Sequence, residues 1–149
     1  MPPLVVVAAA VIERDGRLLV TRRLAGTHLA GTWEFPGGKC EPGESLTDCL
    51  IRELREELGV AADVGDCLMT TVHDYPDRTI ELHFLRCSID GPPQALLDQE
   101  MRWVARDELD ALDFPPADAA LIELLTSDPS GPSGPPVDRI QQIQRRPRQ

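Results

Sequence analysis

Gly38–Val60, GKCEPGESLTDCLIRELREELGV, is the stretch from which the rest of the chain can be read. It opens as a loop rich in glycine and proline. Ser45 is placed to cap a helix, with Asp48 three residues on as a variant of the capping box, and Gly59 is placed to end it. Between them Leu50, Ile51, Leu54 and Leu58 form an apolar stripe at helical spacing, which predicts a helix over residues 46–58. Glu53, Glu56 and Glu57 fall within about a third of the helix circumference, at the rim of that stripe. The cluster opposes helix stability. Glu53 and Glu57 are like charges at i,i+4, and Glu56 and Glu57 sit where the macrodipole favours cations. Arg52, at i,i+4 from Glu56, offsets only part of this cost. A local conflict of this kind marks an expected functional site, and a bound divalent cation would remove it. Hard ions such as Mg²⁺ take carboxylate oxygens and leave room for water and phosphates.

Outward from this stretch the chain reads as strands and turns. Residues 4–13 are rich in valine and alanine, residues 17–22 alternate apolar with polar, and Asp15-Gly16 between them is a two-residue hairpin signal. Residues 24–32 show no period and read as a loop. Trp33-Glu34-Phe35 is expected to be a short strand stopped by Pro36-Gly37-Gly38. Past the helix, residues 64–73 and 79–87 read as strands around a turn containing Pro76, with Ile80, Leu82 and Phe84 alternating with Glu81 and His83. A strand at 100–104, a short helix at 106–111, the turn Asp113-Phe114-Pro115-Pro116 and a last helix at 117–125 complete an α/β domain spanning 1–126. Residues 127–149 begin SDPSGPSGPP and end DRIQQIQRRPRQ, and they read as a disordered, solvated tail with a basic tip at Arg145, Arg146 and Arg148.

A chain of 149 residues supports one domain with a full core. The formal net charge of −10 argues against a protein that coats a nucleic acid polymer, which needs a basic face. It leaves a nucleotide substrate open, since metal ions mask phosphate charge. The cysteines Cys40, Cys49, Cys67 and Cys87 form no CxxC pair and read as reduced thiols of a cytosolic protein. The apolar start, residues 4–12, lacks a basic flank and is too short to span a bilayer. The expectation is a cytoplasmic monomer with no membrane partner.

Gly38, Glu44, Arg52-Glu53-Leu54, Glu56-Glu57 and Gly59-Val60 stand at the spacing of the Nudix box, and the stretch resembles that box at every defined position. An accidental match is on the order of one in 10⁸ from background composition. Over the residues before the tail, the chain is similar to the MutT-type nucleoside triphosphate pyrophosphohydrolases of this family. The stretches that carry the likeness are Thr21-Arg22-Arg23 with His28 after it, Glu34-Phe35-Pro36-Gly37-Gly38-Lys39, Tyr75-Pro76-Asp77-Arg78, and Asp113-Phe114-Pro115-Pro116-Ala117-Asp118. The resemblance implies a Nudix fold, an α/β/α sandwich around a mixed sheet. It also implies Mg²⁺, with Mn²⁺ as a substitute, held by Glu53, Glu56 and Glu57 with help from the Gly37 carbonyl. Arg52 and Glu44 would fix loop and helix together. Arg23 and His28 would line the nucleotide site, and Glu34, Phe35, Pro36 and Gly37 would form a wall beside sugar and base. Asp118 would face the base edge, with Arg78 near it. The implied reaction is hydrolysis of a nucleoside triphosphate between its α and β phosphates, in the service of nucleotide-pool clean-up and DNA repair.

Several of these residues have plainer readings. Arg78 beside Asp77 can be a turn ion pair, and Asp118 an acid in the first turn of the last helix. Trp33 and Trp103 are expected in the core rather than as stacking platforms, while Tyr75 is a candidate stacking side chain. The general base lies either in the box, at Glu53 or Glu57, or on the later loop, at Asp98 or Glu100. Base preference rests on Asp118, where MutT proteins that prefer 8-oxo-dGTP carry asparagine. An ionised Asp118 only accepts hydrogen bonds, which suits the N7–H of oxidised guanine or the N4 amine of cytosine. The expected substrate is 8-oxo-dGTP, with CTP or 5-methyl-dCTP as the alternative. Hydrolysis of another nucleotide conjugate, or a non-catalytic sensor, are weaker alternatives.

Overall fold

The computed structural model describes residues 3–27 and 29–127. His28 and residues 128–149, which hold nearly all of the expected tail, lie outside them. Asp15 and Gly16 take positive φ angles of 55° and 78°, as a two-residue hairpin turn requires. They join β1 (Leu4–Arg14) to β2 (Arg17–Arg22), with Arg14 opposite Arg17. β3 (Trp33–Glu34) pairs with the end of β2. The next expectation holds only in part. β3 does end before Pro36, but the residues after it are not all loop, because Gly37–Lys39 forms β4, antiparallel to Val7–Ala9 of β1. Glycine makes this pairing fit: a Cβ on Gly37 would collide with the carbonyl oxygen of Ala8.

The box helix is α1 (Leu46–Leu58). It is followed by the long hairpin β5 (Ala61–Tyr75) and β6 (Arg78–Asp90), whose turn is closed by Tyr75 opposite Arg78. Both strands outrun the expected spans. β7 (Met101–Ala105) pairs with β2, Arg106–Ala111 and Pro116–Asp118 are 3₁₀ turns, and α2 (Ala119–Thr126) closes the domain. β1 and β6 run parallel from Leu4↔Thr79 to Ile12↔Cys87, while the other pairings are antiparallel. The seven-stranded sheet is therefore mixed.

Strand alternation sends successive side chains to opposite faces and so builds two cores. Ala8, Ala10 and Ile12 of β1 pack with Leu19, Leu85 and Cys87 against Leu50, Leu54 and Leu58 of α1. Ala9 and Val11 pack with Leu18, Val20, Leu82 and Phe84 against Leu109, Leu121, Ile122 and Leu125. This is the α/β/α sandwich expected. Trp33 is buried in the second core and Trp103 packs against the first. Among the described residues, no helix is long and apolar enough to cross a membrane.

Candidate active site

The local sequence fixes α1 at both ends. Ser45 Oγ accepts the Asp48 N–H at 3.0 Å, and Gly59, at φ 69°, donates its N–H to Arg55 O at 3.0 Å. With Leu50, Leu54 and Leu58 fully buried, the rotation of the helix is set. That rotation presents Glu53 and Glu57 to the sheet edge at β4. Glycine again makes room, since a Cβ on Gly38 would collide with the Glu53 carboxylate.

Arg52 ties this corner together. Its Nε and Nη2 donate to the two oxygens of Glu44 at 2.8 and 2.9 Å, a bidentate fork. Nη1 donates to Glu53 Oε2 at 2.9 Å, and Nη2 reaches the Lys39 carbonyl at 3.1 Å. Glu44 also accepts the Glu41 N–H at 2.9 Å. The Arg52 bonds, followed by that N–H, hold the Glu44 carboxyl down at about 2. These bonds tie the Lys39–Glu44 loop to α1.

A cleft of about 440 Å³ opens beside this corner, bordered by Gly37, Gly38, Glu53 and Glu57. The Glu57 carboxyl is raised well above the usual range. Burial is the first cause, then a hydrogen bond and charge from Glu53 and the charge of Glu34, while the Gly37 N–H acts the other way. Glu56 does not join this pair. It points outward, its side chain 60% exposed, with Arg52 Nη1 at 3.5 Å. The three box glutamates are therefore not gathered into a cage, because the arginine fork sits between Glu53 and Glu56, and no cluster of three such ligands occurs among the described residues. The donors still suit a hard divalent cation: two carboxylates crowd each other at a cleft wall, and the pair carries a conflict that positive charge would relieve.

The far end of the same cleft is lined by Arg23, Glu34, Tyr75, Arg78 and Asp118. Arg23 Nη1 donates to Glu34 Oε1 at 2.8 Å. Asp118 is 5% exposed, so it is not the solvated first-turn acid of the plainer reading, and it makes no capping bond to α2. Burial, then the Glu34 charge, push its carboxyl up to about 7, against the opposing pull of Arg23. Tyr75 is also raised, by burial and then by Asp118. Arg78 serves both readings, since it lines the cleft and pairs with Asp77 at 3.1 Å.

The wall at residues 34–37 needs correction at one position. Pro36 is fully buried, does not border the cleft, and gives its carbonyl to Ala10 N–H at 2.7 Å. Phe35 borders the cleft, and its ring is stacked on Phe114 at 5.5 Å and edge-on to Phe84 at 6.0 Å. Sequence reasoning missed the floor, made by Val5, Val7, Ile80 and Leu82, and the rim residues Lys39 and Leu29. The floor residues alternate along adjacent parallel strands, so only the β1–β6 register shows that they share one face. Leu29 carries a positive φ of 58°, which its residue type does not advertise. Of the loop candidates, neither Asp98 nor Glu100 borders the cleft, and Glu100 pairs with Arg22 at 3.2 Å.

A NUDIX domain model matches residues 7–124. The chain is 44% identical over 120 residues to the CTP pyrophosphohydrolase of Escherichia coli (strain K12), covering 78% of this chain and 87% of that protein. It is 39% identical over 124 residues to an 8-oxo-dGTP diphosphatase of Haemophilus influenzae, covering 82% and 91%. The solution structure of the E. coli ORF135 protein superposes with a TM-score of 0.75 at 39% identity, over 85% of this chain and 91% of that one. The chain belongs to the Nudix family. It is a MutT-like nucleotide pyrophosphohydrolase, and the chemistry of its family depends on a divalent metal ion.

Proposed function

We propose that the enzyme uses water to cleave a nucleoside triphosphate between its α and β phosphates, releasing a monophosphate and pyrophosphate, with 8-oxo-dGTP as its substrate. One observation carries this reading: a single cleft joins Glu53 and Glu57 at one end to the buried Asp118 at the other. Glu53, Glu57 and the Gly37 carbonyl, with Glu56 on the adjoining turn, would hold Mg²⁺ or Mn²⁺. A bound divalent ion supplies charge neutralisation at the phosphates and a water of lowered pKa. The apolar floor of Val5, Val7, Ile80 and Leu82 excludes water beneath the nucleotide. Glu53 or Glu57 takes the proton of the attacking water, since of the general-base candidates these two border the cleft and Asp98 and Glu100 do not.

At the base end, an aspartic acid with its carboxyl near 7 divides its time between two forms at neutral pH. The protonated form both donates and accepts, as an asparagine amide does, and so matches the O6 and N7–H edge of 8-oxoguanine. The ionised form only accepts and matches the cytosine N4 amine. A second reading, CTP or 5-methyl-dCTP as substrate, is favoured by the 44% identity to a CTP pyrophosphohydrolase. The four free thiols, two of them buried, fit action in the cytoplasm. The enzyme is proposed to act there as a monomer on free nucleotides, without nucleic acid polymer or membrane, in clearing damaged precursors of DNA synthesis.

The test is Mg²⁺-dependent pyrophosphate release from 8-oxo-dGTP, dGTP, 5-methyl-dCTP and CTP, compared as kcat/KM. A preference for 8-oxo-dGTP over dGTP and both cytosine nucleotides supports the first reading. A preference for the cytosine nucleotides replaces it with the second. Release of inorganic phosphate in place of pyrophosphate overturns both.

A further inference from the structure

The loop between β6 and β7, residues 91–100, does not border the cleft, yet it closes on the C-terminal end of α1. The last carbonyls of a helix have no partner within it and must find donors elsewhere. Here Gln94 donates its backbone N–H to Leu58 O at 2.9 Å, and Leu96 donates its own to Glu57 O at 3.1 Å. Gln99 Nε2 gives the Glu57 carbonyl a second donor at 3.3 Å. Gln99 Oε1 accepts the Leu97 N–H at 2.9 Å. Because that N–H requires an acceptor, the amide is turned with its NH₂ toward Glu57. Asp98, at φ 60°, turns the chain just before it, and Gln99 itself is 8% exposed. A buried amide bonded at both ends is rigid. Gln99 therefore reaches the cleft wall only through the main chain of Glu57, whose residue does border the cleft.

We propose that Gln99 is a positioning residue for the metal site, resting on the reading above in which Glu53 and Glu57 hold the divalent ion. Its side-chain amide holds the main chain of Glu57 and so fixes where that carboxylate stands beside Glu53. Before an ion arrives, like charges at i,i+4 push apart, and the macrodipole adds to the strain at this end of the helix. Glu57 is the acid free to give way, because Glu53 is already bonded by Arg52 at 2.9 Å. Glu57 is also the last residue but one of α1, in the turn where helices fray. Leu96 and Gln99 oppose that movement at one carbonyl. The Leu96 bond uses a backbone N–H that almost any residue supplies, whereas the Gln99 bond depends on this side chain. Partners that orient a metal ligand are worth about 10- to 100-fold in metal affinity. With the Leu96 bond still in place, loss of Gln99 should cost about tenfold, the low end of that range.

The experiment titrates the full-length protein with Mn²⁺ and reads the free ion by electron paramagnetic resonance, so no turnover is involved. Gln99→Met keeps the length of the side chain and removes both amide bonds, and it should raise the Kd for Mn²⁺ about tenfold. Gln99→Glu keeps an acceptor for the Leu97 N–H but gives the Glu57 carbonyl no donor, and should raise the Kd as well. If Gln99→Met does not fold, Gln99→Glu carries the test. Arg14→Met controls for a loop that is merely held in place. Arg14 anchors the start of the same loop through Ile89 O at 2.9 Å and Gly91 O at 3.3 Å, and its loss should leave the Kd at the wild-type value. An Arg14→Met loss as large as that of Gln99 overturns the proposal, since the loop as a whole is then the cause. Glu57→Gln separates the two remaining ways to fail. If it weakens Mn²⁺ binding while the Gln99 variants bind as wild type does, the metal site stands and the role of Gln99 is overturned. If Glu57→Gln itself binds as wild type does, the metal site is misread and the proposal falls with it.

Discussion

At the α1 end of the cleft, one guanidinium is shared among several carboxylates: Arg52 forks onto Glu44, bonds Glu53 and lies near Glu56. At the other end Arg23 holds Glu34 at 2.8 Å, and its pull on the buried Asp118 is outweighed by burial and the Glu34 charge. The consequences differ in sign. Glu44 is pulled down to about 2, so its contribution to stability is present above the ordinary carboxylate range and is lost only as pH falls through about 2. Asp118 is pushed up to about 7, so its contribution is present below about 3.8 and is lost as pH rises through 7. The Glu44–Arg52 lock that frames the first end is therefore fixed at neutral pH. The other titrates in the working range, suited to choosing a base edge.

The strongest way to break this contrast is at the frame. Glu53→Gln removes a carboxylate that borders the cleft and takes a bond from Arg52, and kcat should fall on the order of 10³-fold for every nucleotide alike. Steady-state rates on the four-nucleotide panel test it; a loss confined to one base would place Glu53 in recognition rather than chemistry. Gly38→Ala asks the same question without touching a charge. Its Cβ must displace the Glu53 carboxylate, and a shift of that kind should lower kcat about 10²-fold. A Gly38→Ala enzyme of unchanged kcat would show that the carboxylate has freedom the fold does not suggest.

The frame was also the legible part. Ser45, Glu44, Arg52, Glu53, Glu57 and Gly59 stand within one short stretch, where helical periodicity and capping chemistry translate spacing directly into position. The same local rules do not say where a carboxylate points once an arginine competes for it, as at Glu56, which faces outward beside Arg52. The base end is assembled from Arg23, Glu34, Tyr75 and Asp118, which lie far apart in sequence and meet only through the parallel pairing of β1 with β6 and the seat of α2. Burial of Asp118 is a tertiary fact. The family likeness put Asp118 at the base edge, but local rules alone offer only an acid in a first helical turn, which is ordinarily solvated. Likewise Gly37-Gly38 reads as a chain stop by local rules, and only the neighbouring edge of β1 turns it into a strand.

Asp118→Asn sharpens the contrast from the other side. The amide donates and accepts at every pH, so kcat/KM for 8-oxo-dGTP relative to CTP should rise roughly tenfold, about the worth of one good hydrogen bond, and should lose its pH dependence near 7. Stability should respond in the same direction. In the wild type the folded carboxyl keeps its proton up to about 7 while the unfolded one releases it near 3.8, so unfolding gains a favourable ionisation across that interval. The variant has no such slope. Its Tm advantage over wild type should therefore be larger at pH 8 than at pH 4, by an amount corresponding to on the order of a few kcal/mol. Equal differences at the two pH values would mean that Asp118 ionises freely in the folded protein.

The smallest effect is expected at Glu100, and it bears on where the chemistry ends. This carboxylate precedes β7, sits 3.2 Å from Arg22 and 3.4 Å from Arg102, and is about as exposed as they are. Both arginines also lie over the Trp33 ring, at 5.7 and 4.9 Å, so they keep a partner when Glu100 is neutralised. Exposed pairs of this kind are worth roughly 0–1 kcal/mol, and Glu100→Gln should shift Tm by no more than about 3 °C. Because Glu100 does not border the cleft, kcat should also hold within about twofold, well short of the 10²-fold loss that removing a general base brings. A hundredfold fall in kcat with an unchanged KM would transfer the general base from α1 to this loop. The α1 carboxylates would then bind charge while a residue from outside the box moved the proton, and the frame would no longer contain the whole of the chemistry.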